Sequence, residues 1–264
     1  MDAQIRLSVG CREGRSYIRS LYTTPPFRVV SVGQCERDGA AYLMQMSTSP
    51  GVLSGDRYEI DIELETDARL QFKSQSYQRI FDMEGEAQQR MRITVGDGAH
   101  YSQVSHPIVP HRNSSYSAVT EVELGRESSF LQSEVITCGR RLHGEAFEFR
   151  EFSNSVEVYD EHRLRLKDRV WLSPKALPLT DLGLLEGRTH QATLIYQTTV
   201  NGVDIKAVIE AVQTMLSAVE GLEFGISESH YSGFVVRLLG GGGELLFEAL
   251  SSVQHYLWSA DWKR

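Results

Sequence analysis

Apolar and polar residues alternate along most of the chain up to about residue 170. The clearest stretch runs from Tyr58 to Glu65, where apolar side chains alternate with acidic ones without interruption. A period of two is typical of a β-strand with one face in a core and the other in water. The sequence therefore predicts a mostly β protein.

Three segments that follow turn signals resemble one another, at residues 67–74, 98–105 and 127–134. Such a repeat indicates stacked units, interpreted here as β-hairpins, in which equivalent residues form columns. The columns are Leu70, Tyr101 and Phe130; then Phe72, Gln103 and Gln132; then Ser74, Ser105 and Glu134. The first column is apolar and the later two become polar. The polar columns indicate either a water-lined interior or strands that run out into solvent.

In the C-terminal third, the spacing of apolar residues changes from a period of two to a period of 3.6, which predicts helices. One helix is expected to start at Asp204 and to end near Gly221, and a last one follows the glycines at 240–243. The last helix carries many large apolar residues, namely Leu246, Phe247, Leu250, Val253, Tyr256 and Leu257. Two interpretations stay open: the helix docks onto a partner through these residues, or it packs on its own sheet.

Composition narrows the class of protein. The chain has 264 residues and a net charge of −8, and it shows no basic run, which argues against nucleic acid as a partner. No stretch approaches the roughly 20 apolar residues of a membrane span. Cys11, Cys35 and Cys138 are too widely spaced for a disulfide framework or a metal clip. We therefore expect a soluble protein in the reducing cytoplasm.

Candidate chemistry is sparse. Residues 225–229 come nearest to a hydrolase nucleophile motif, but Ser229 stands where the tight turn needs glycine. His100, His106 and His111 are weak candidates for metal ligands, because imidazole binds nickel, copper and zinc but these residues lack the spacing of a firm site. Ordinary surface or hydrogen-bonded histidines are the favoured interpretation. From the residues alone, no reaction is visible.

Several segments, taken in order, resemble the urease accessory protein D family, called H in some bacteria. Together they span nearly the whole chain, and their order and spacing carry the resemblance. They are residues 24–27, 49–56, 74–81, 107–110, 138–140 with 144–147, 185–187, and 225–227 leading to Arg237.

The resemblance implies a non-enzymatic scaffold. Such a protein joins the F accessory protein and the GTPase G protein to apo-urease and assists the delivery of nickel. It implies transient nickel and no tightly bound cofactor, with GTP belonging to the G partner, and a dimer of complexes is plausible. The implied fold is a flattened β-helical body over residues 1–190, followed by a C-terminal strand and helix portion over 191–264 that includes the docking tail. We expect the two parts to form one integrated domain.

The resemblance also implies a water-filled channel for nickel. A channel needs weakly coordinating oxygens, because an ion held by three imidazoles would leave too slowly. The candidate residues for this path are Ser74, Gln75, Ser76, Gln103, Glu134 and Glu145. Two alternatives remain, an autonomous nickel-storage protein and a β-helical hydrolase.

Overall fold

A computed structural model describes residues 1–33 and 37–260 of the chain. Strands dominate this part. They are β1 (Asp2–Arg12), β2 (Arg15–Thr23), β3 (Phe27–Ser31), β4 (Ala41–Ser47), β5 (Arg57–Leu64), β6 (Arg69–Ser74), β7 (Gln78–Ile80), β8 (Ala87–Val95), β9 (His100–Val104), β10 (Ile108–Pro110), β11 (Ser115–Leu124), β12 (Ser129–Thr137), β13 (Glu151–Asp160), β14 (Arg163–Leu172), β15 (His190–Thr198), β16 (Glu223–Glu228) and β17 (Gly233–Gly240). The helices are α1 (Ile205–Ser217), α2 (Gly243–Ala260) and a short 3-10 turn (Arg141–His143).

The strands form two sheets. The first has the order β14-β13-β11-β8-β5-β1-β2, and the second has the order β16-β17-β15-β12-β9-β6-β4-β3, with β7 and β10 beside it. The central strands of both sheets pair in parallel, for example β5 with β8 and β6 with β9. The prediction of a mostly β protein is confirmed.

The repeated segments are not hairpins. At each repeat the chain leaves a strand of the first sheet, turns, and enters a strand of the second sheet, as in β5 to β6, β8 to β9 and β11 to β12. The second-sheet strands then pair with one another in parallel, which places Leu70 beside Tyr101 and Tyr101 beside Phe130. The first two columns predicted from the repeat are therefore confirmed, the second through the pairs of Gln103 with Phe72 and Gln132. The hairpin interpretation is wrong, because the turn joins different sheets.

The turns themselves repeat the same backbone conformation. Asp67, Gly98 and Glu127 occupy equivalent positions and all have positive φ, at 59°, 69° and 52°. A side chain at Gly98 would place its Cβ 2.3 Å from Oδ1 of Asp67, so the Asp67 side chain would have to move to admit it. The repeat seen in the sequence is thus a repeat of turn geometry as well as of side chains.

Two hydrophobic cores lie on either side of the second sheet. The larger one fills the space between the sheets, and the smaller one lies between the second sheet and the two helices. Helix α1 begins where Asp204 accepts a hydrogen bond from the Ala207 backbone at 3.1 Å. Strands β15, β17 and β16 extend the second sheet beyond β12.

Helix α2 packs on its own sheet, so the second interpretation of its apolar residues describes this structure. Four of these residues are buried against the second sheet: Leu246, Leu250, Val253 and Leu257. They would contact a partner only if the helix left the sheet. Phe247 and Tyr256 are partly exposed at the border of this core and remain accessible.

Other features concern the cysteines and the helices. Cys11 is partly buried and Cys138 is buried, and both are free thiols, whereas Cys35 and residues 261–264 lie outside the described ranges.

Neither α1 nor α2 is long and apolar enough to cross a membrane.

Candidate functional site

A polar cavity of about 100 Å³ lies between the two sheets. Three of the predicted path residues line it, Ser74, Gln103 and Glu134. They come from β6, β9 and β12, and the parallel pairing of these strands brings them to one side of the cavity. The cavity lies where the apolar column of Leu70, Tyr101 and Phe130 gives way to the polar ones.

Glu134 is an acidic residue among the polar side chains that line the cavity. Its carboxylate accepts a hydrogen bond from Nδ2 of Asn154 at 2.7 Å, across the space between the sheets. Burial raises the pKa of Glu134 to about 8, and Asp168 adds to the increase, whereas Asn154 and Arg237 act in the opposite direction. At neutral pH this carboxyl group is therefore largely protonated.

An ion pair joins the two sheets two strands away from Glu134. One guanidinium nitrogen of Arg237 on β17 donates a hydrogen bond to the Asp168 carboxylate on β14, and another donates to the Thr193 hydroxyl. Burial raises the pKa of Asp168 despite this arginine. Sequence reasoning missed the role of both charged residues. A signal was available, because an arginine within an otherwise apolar strand has to find a partner or water.

Three residues that line the cavity carry a side-chain oxygen without a hydrogen-bond partner within the described ranges: Gln132 (Oε1), Ser133 (Oγ) and Asn154 (Oδ1). Gln103 accepts a hydrogen bond from the buried Tyr101 hydroxyl at 2.6 Å. Buried polar oxygens need partners, and the cavity is large enough for several water molecules. Such a lining of amide, hydroxyl and carboxyl oxygens can solvate a hydrated divalent cation weakly.

Gln75 and Ser76 line a neighbouring pocket of about 120 Å³ rather than the cavity itself. The two spaces share Gln45, Ser74 and Gln78 as wall residues. Gln75 and Ser76 are exposed, so this pocket leads from the surface to the Ser74 side of the cavity. Five of the six predicted path residues thus lie along one route.

Glu145 lies elsewhere, and its assignment to the path needs correction. Both oxygens of its carboxylate accept hydrogen bonds from the Arg140 guanidinium, one of them from Nε at 2.9 Å. The carboxylate also accepts a hydrogen bond from the Arg112 backbone N–H at 3.3 Å. The Arg140 guanidinium lowers the pKa of Glu145 to about 2. Glu145 therefore stabilises a surface loop, because a local arginine satisfies the carboxylate that the prediction placed in the path.

The three candidate histidines have separate surroundings. His100 Nδ1 lies 2.8 Å from the Ser129 hydroxyl, and burial lowers the pKa of His100 to about 4. His106 stacks on Phe247 with ring centres 4.5 Å apart, and His111 packs edge-on against Phe81. In residues 1–33 and 37–260, no group of three or more histidine, cysteine or acidic side chains is placed to hold a metal ion.

The pKa of Glu134 predicts a pH-dependent stability. The ordinary pKa of a glutamate is 4.5, so between that pH and about 8 the folded chain keeps a proton that the unfolded chain has lost. This group therefore lowers the free energy of unfolding by about 1.4 kcal/mol for each pH unit of rise. Urea unfolding at about pH 5 and pH 8 should show that E134Q gains stability relative to wild type as the pH rises. A difference that does not depend on pH would contradict a retained proton.

Comparison with known families gives one match across the chain. The family described as UreD urease accessory protein matches residues 1–264.

Individual relatives agree with this match. A protein named urease accessory protein UreD from Flavobacterium johnsoniae is 41% identical over 264 residues, covering 100% of this chain and 95% of the relative. A protein of the same name from Acetivibrio thermocellus is 32% identical and covers 97% of both chains. One from Haemophilus influenzae is 33% identical, covering 91% of this chain and 96% of the relative.

Proposed function

Because the chain belongs to the UreD urease accessory protein family, we propose that it is a non-enzymatic scaffold that assists the delivery of nickel to urease. In this proposal the ion is cargo rather than a resident cofactor. It passes through the polar cavity between the sheets, and GTP is bound by the G accessory protein.

The oxygen lining of the cavity is the observation that carries this proposal. Glu134, Gln132 and Asn154 line the same cavity with carboxyl and amide groups, and two of their oxygens lack a partner within the described part of the chain. Oxygens of this kind can replace part of a hydration shell without binding the ion tightly. A conduit requires this balance, because the ion has to leave as well as enter.

The positions of the wall residues suggest a direction across the molecule. Gln75 and Ser76 lie at the surface end, Ser74 and Gln103 follow, and Glu134 lies deeper. Asp168 also lines the cavity, and Arg237 is its ion-pair partner. A cation that binds the Glu134 carboxylate would displace its proton to a water molecule.

The scaffold role requires contacts with other proteins. We propose that the F and G accessory proteins and apo-urease are these partners, in a dimer of complexes. Of the six α2 residues predicted to contact a partner, Phe247 and Tyr256 are partly exposed and can dock while the helix stays on its sheet. A cytoplasmic location stays a prediction of the sequence.

Omission of this chain tests the proposed function. Apo-urease should be co-expressed with its F and G proteins, with and without this chain, in medium that contains nickel. We expect urease activity to fall by about tenfold or more without the chain, while the amount of urease protein stays the same. Equal activity in both cultures would contradict the proposal.

The two alternative functions make different predictions. A nickel-storage protein would bind nickel stoichiometrically when purified alone, whereas a conduit binds it weakly, which isothermal titration distinguishes. A hydrolase would need a pair of carboxylates facing a substrate groove. The described acidic residues of the cavity, Glu134 and Asp168, face a space of only about 100 Å³ between the sheets instead.

A further inference from the structure

Three chain segments meet at an open surface pocket that shares no lining residue with the polar cavity. Arg79 comes from β7, His111 follows β10, and Arg140 and Arg141 follow β12. These segments adjoin because β10 pairs in parallel with both β7 and β12. The pocket has a volume of about 600 Å³. We call it the Arg79–Arg141 pocket.

A tight turn sets the position of the arginines after β12. Gly139 has a φ of 124°, and a Cβ at this residue would lie 3.1 Å from the Pro110 carbonyl oxygen and 3.3 Å from that of Glu145. Glycine is therefore needed here for both conformation and space. The turn directs Arg140 toward Glu145 and places Arg141 at the start of the short 3-10 turn.

The charges in this pocket are unevenly compensated. Arg140 is paired with Glu145, whereas neither Arg79 nor Arg141 forms an ion pair within the described ranges. Arg141 donates to the Gly241 carbonyl at 3.3 Å, which leaves its charge uncompensated. In a chain with a net charge of −8, two exposed guanidiniums beside one pocket form a local positive site.

A buried nitrogen in the same pocket lacks a partner. His111 is only 5% exposed, and its Nε2 makes no hydrogen bond to any described residue. Burial and the neighbouring Arg140 lower the pKa of His111, so its imidazole is neutral near pH 7 and can offer one N–H donor. An unsatisfied buried nitrogen is costly, and a donor or an acceptor, according to the tautomer, would satisfy it.

The remaining surface of the pocket is largely apolar. Phe81, Val109 and Tyr77 contribute to its wall, and the fully exposed Leu142 lies at its rim. Glu244 marks one edge, where it accepts a hydrogen bond from the Tyr77 hydroxyl at 3.0 Å. Arginine and aromatic residues around an exposed leucine are typical of protein interfaces. The volume is also far larger than a single small oxyanion needs.

We propose that the Arg79–Arg141 pocket binds a peptide segment of a partner protein in which carboxylates flank an apolar side chain. The carboxylates accept hydrogen bonds from Arg79 and Arg141. The apolar side chain packs against Phe81 and Val109. Tyr77 and Arg79 also line the pocket at the surface end of the proposed nickel path, but this inference does not depend on that path.

Nuclear magnetic resonance of the full-length, ¹⁵N-labelled chain tests the proposal directly. The probe is a blocked pentapeptide with two glutamates on each side of a leucine, compared with the same peptide containing glutamines. We expect saturable shifts of the backbone amides of Gly139 to Leu142 with the glutamate peptide, with a dissociation constant near about 1 mM. The glutamine peptide should bind at least about tenfold more weakly.

Charge-reversal variants provide the control. The double variant R79E/R141E should abolish these shifts, whereas R28E, an exposed arginine on β3, should leave them unchanged. If the double variant does not fold, R79Q alone should weaken binding by about threefold or more. The proposal is overturned if the variants bind like wild type or if the amide shifts fall outside the pocket. It is also overturned if inorganic phosphate produces the same shifts at equal affinity, which would indicate a small-anion site.

Discussion

Replacing Glu134 by leucine should lower the activation of urease by about tenfold or more without changing the amount of assembled complex. Glu134 lines the polar cavity between the sheets, and its pKa of about 8 keeps it largely protonated at neutral pH. Leucine is similar in size and uncharged, so the fold should tolerate it. The change removes two oxygens from the wall of the cavity and replaces them with methyl groups that cannot solvate a cation.

Two further variants distinguish the loss of the carboxyl group from a general effect of substituting a glutamate. E134Q keeps the shape and one oxygen of the side chain, so we expect it to retain more activity than E134L. E59L makes the same chemical change at an exposed position on β5 and should activate urease like wild type. Urease specific activity and the yield of co-purified complex are the two measurements. Full activity with E134L would show that the carboxyl group has no part in delivery.

Shortening Leu250 to alanine should lower the free energy of unfolding of the purified chain by about 2 to 5 kcal/mol. Leu250 is fully buried in the core between α2 and the second sheet. The surrounding side chains come from several strands and cannot all close the cavity that alanine would leave. Urea unfolding followed by circular dichroism measures this change.

The same helix offers a matched control. Ser252 is exposed, and S252A should change the free energy of unfolding by no more than about 0.5 kcal/mol. If α2 ordered only on a partner, Leu250 would lie in solvent in the isolated chain, and L250A would resemble S252A. A loss below about 1 kcal/mol would therefore contradict the packing of α2 on its own sheet.

The side-chain columns could be predicted from the sequence because each repeat carries the same turn followed by the same alternation. Leu70, Tyr101 and Phe130 follow equivalent turns, and parallel pairing then places them side by side. The direction of the chain after each turn could not be predicted in this way. A hairpin and a crossing between sheets have the same local pattern, and only long-range pairing distinguishes them.

The candidate site was predictable only in part, for a related reason. Ser74, Gln103 and Glu134 belong to the repeat, so their spacing predicts that they lie together. Asp168 and Arg237 come from strands outside the repeat, and their contact depends on how β14 and β17 close the space between the sheets. Glu145 shows the opposite error, because an acidic residue near the path in sequence is satisfied by Arg140 in its own loop.

The amount of nickel bound to urease tests the central claim most directly, because it measures delivery rather than activity. Apo-urease should be matured in complexes that contain wild type, E134L or E59L, and its nickel content determined by mass spectrometry after gel filtration. If nickel passes through the polar cavity, urease from the E134L complex should be depleted of nickel, while the other two should be equally loaded. Equal nickel content in all three, from equal amounts of complex, would contradict a path through this cavity.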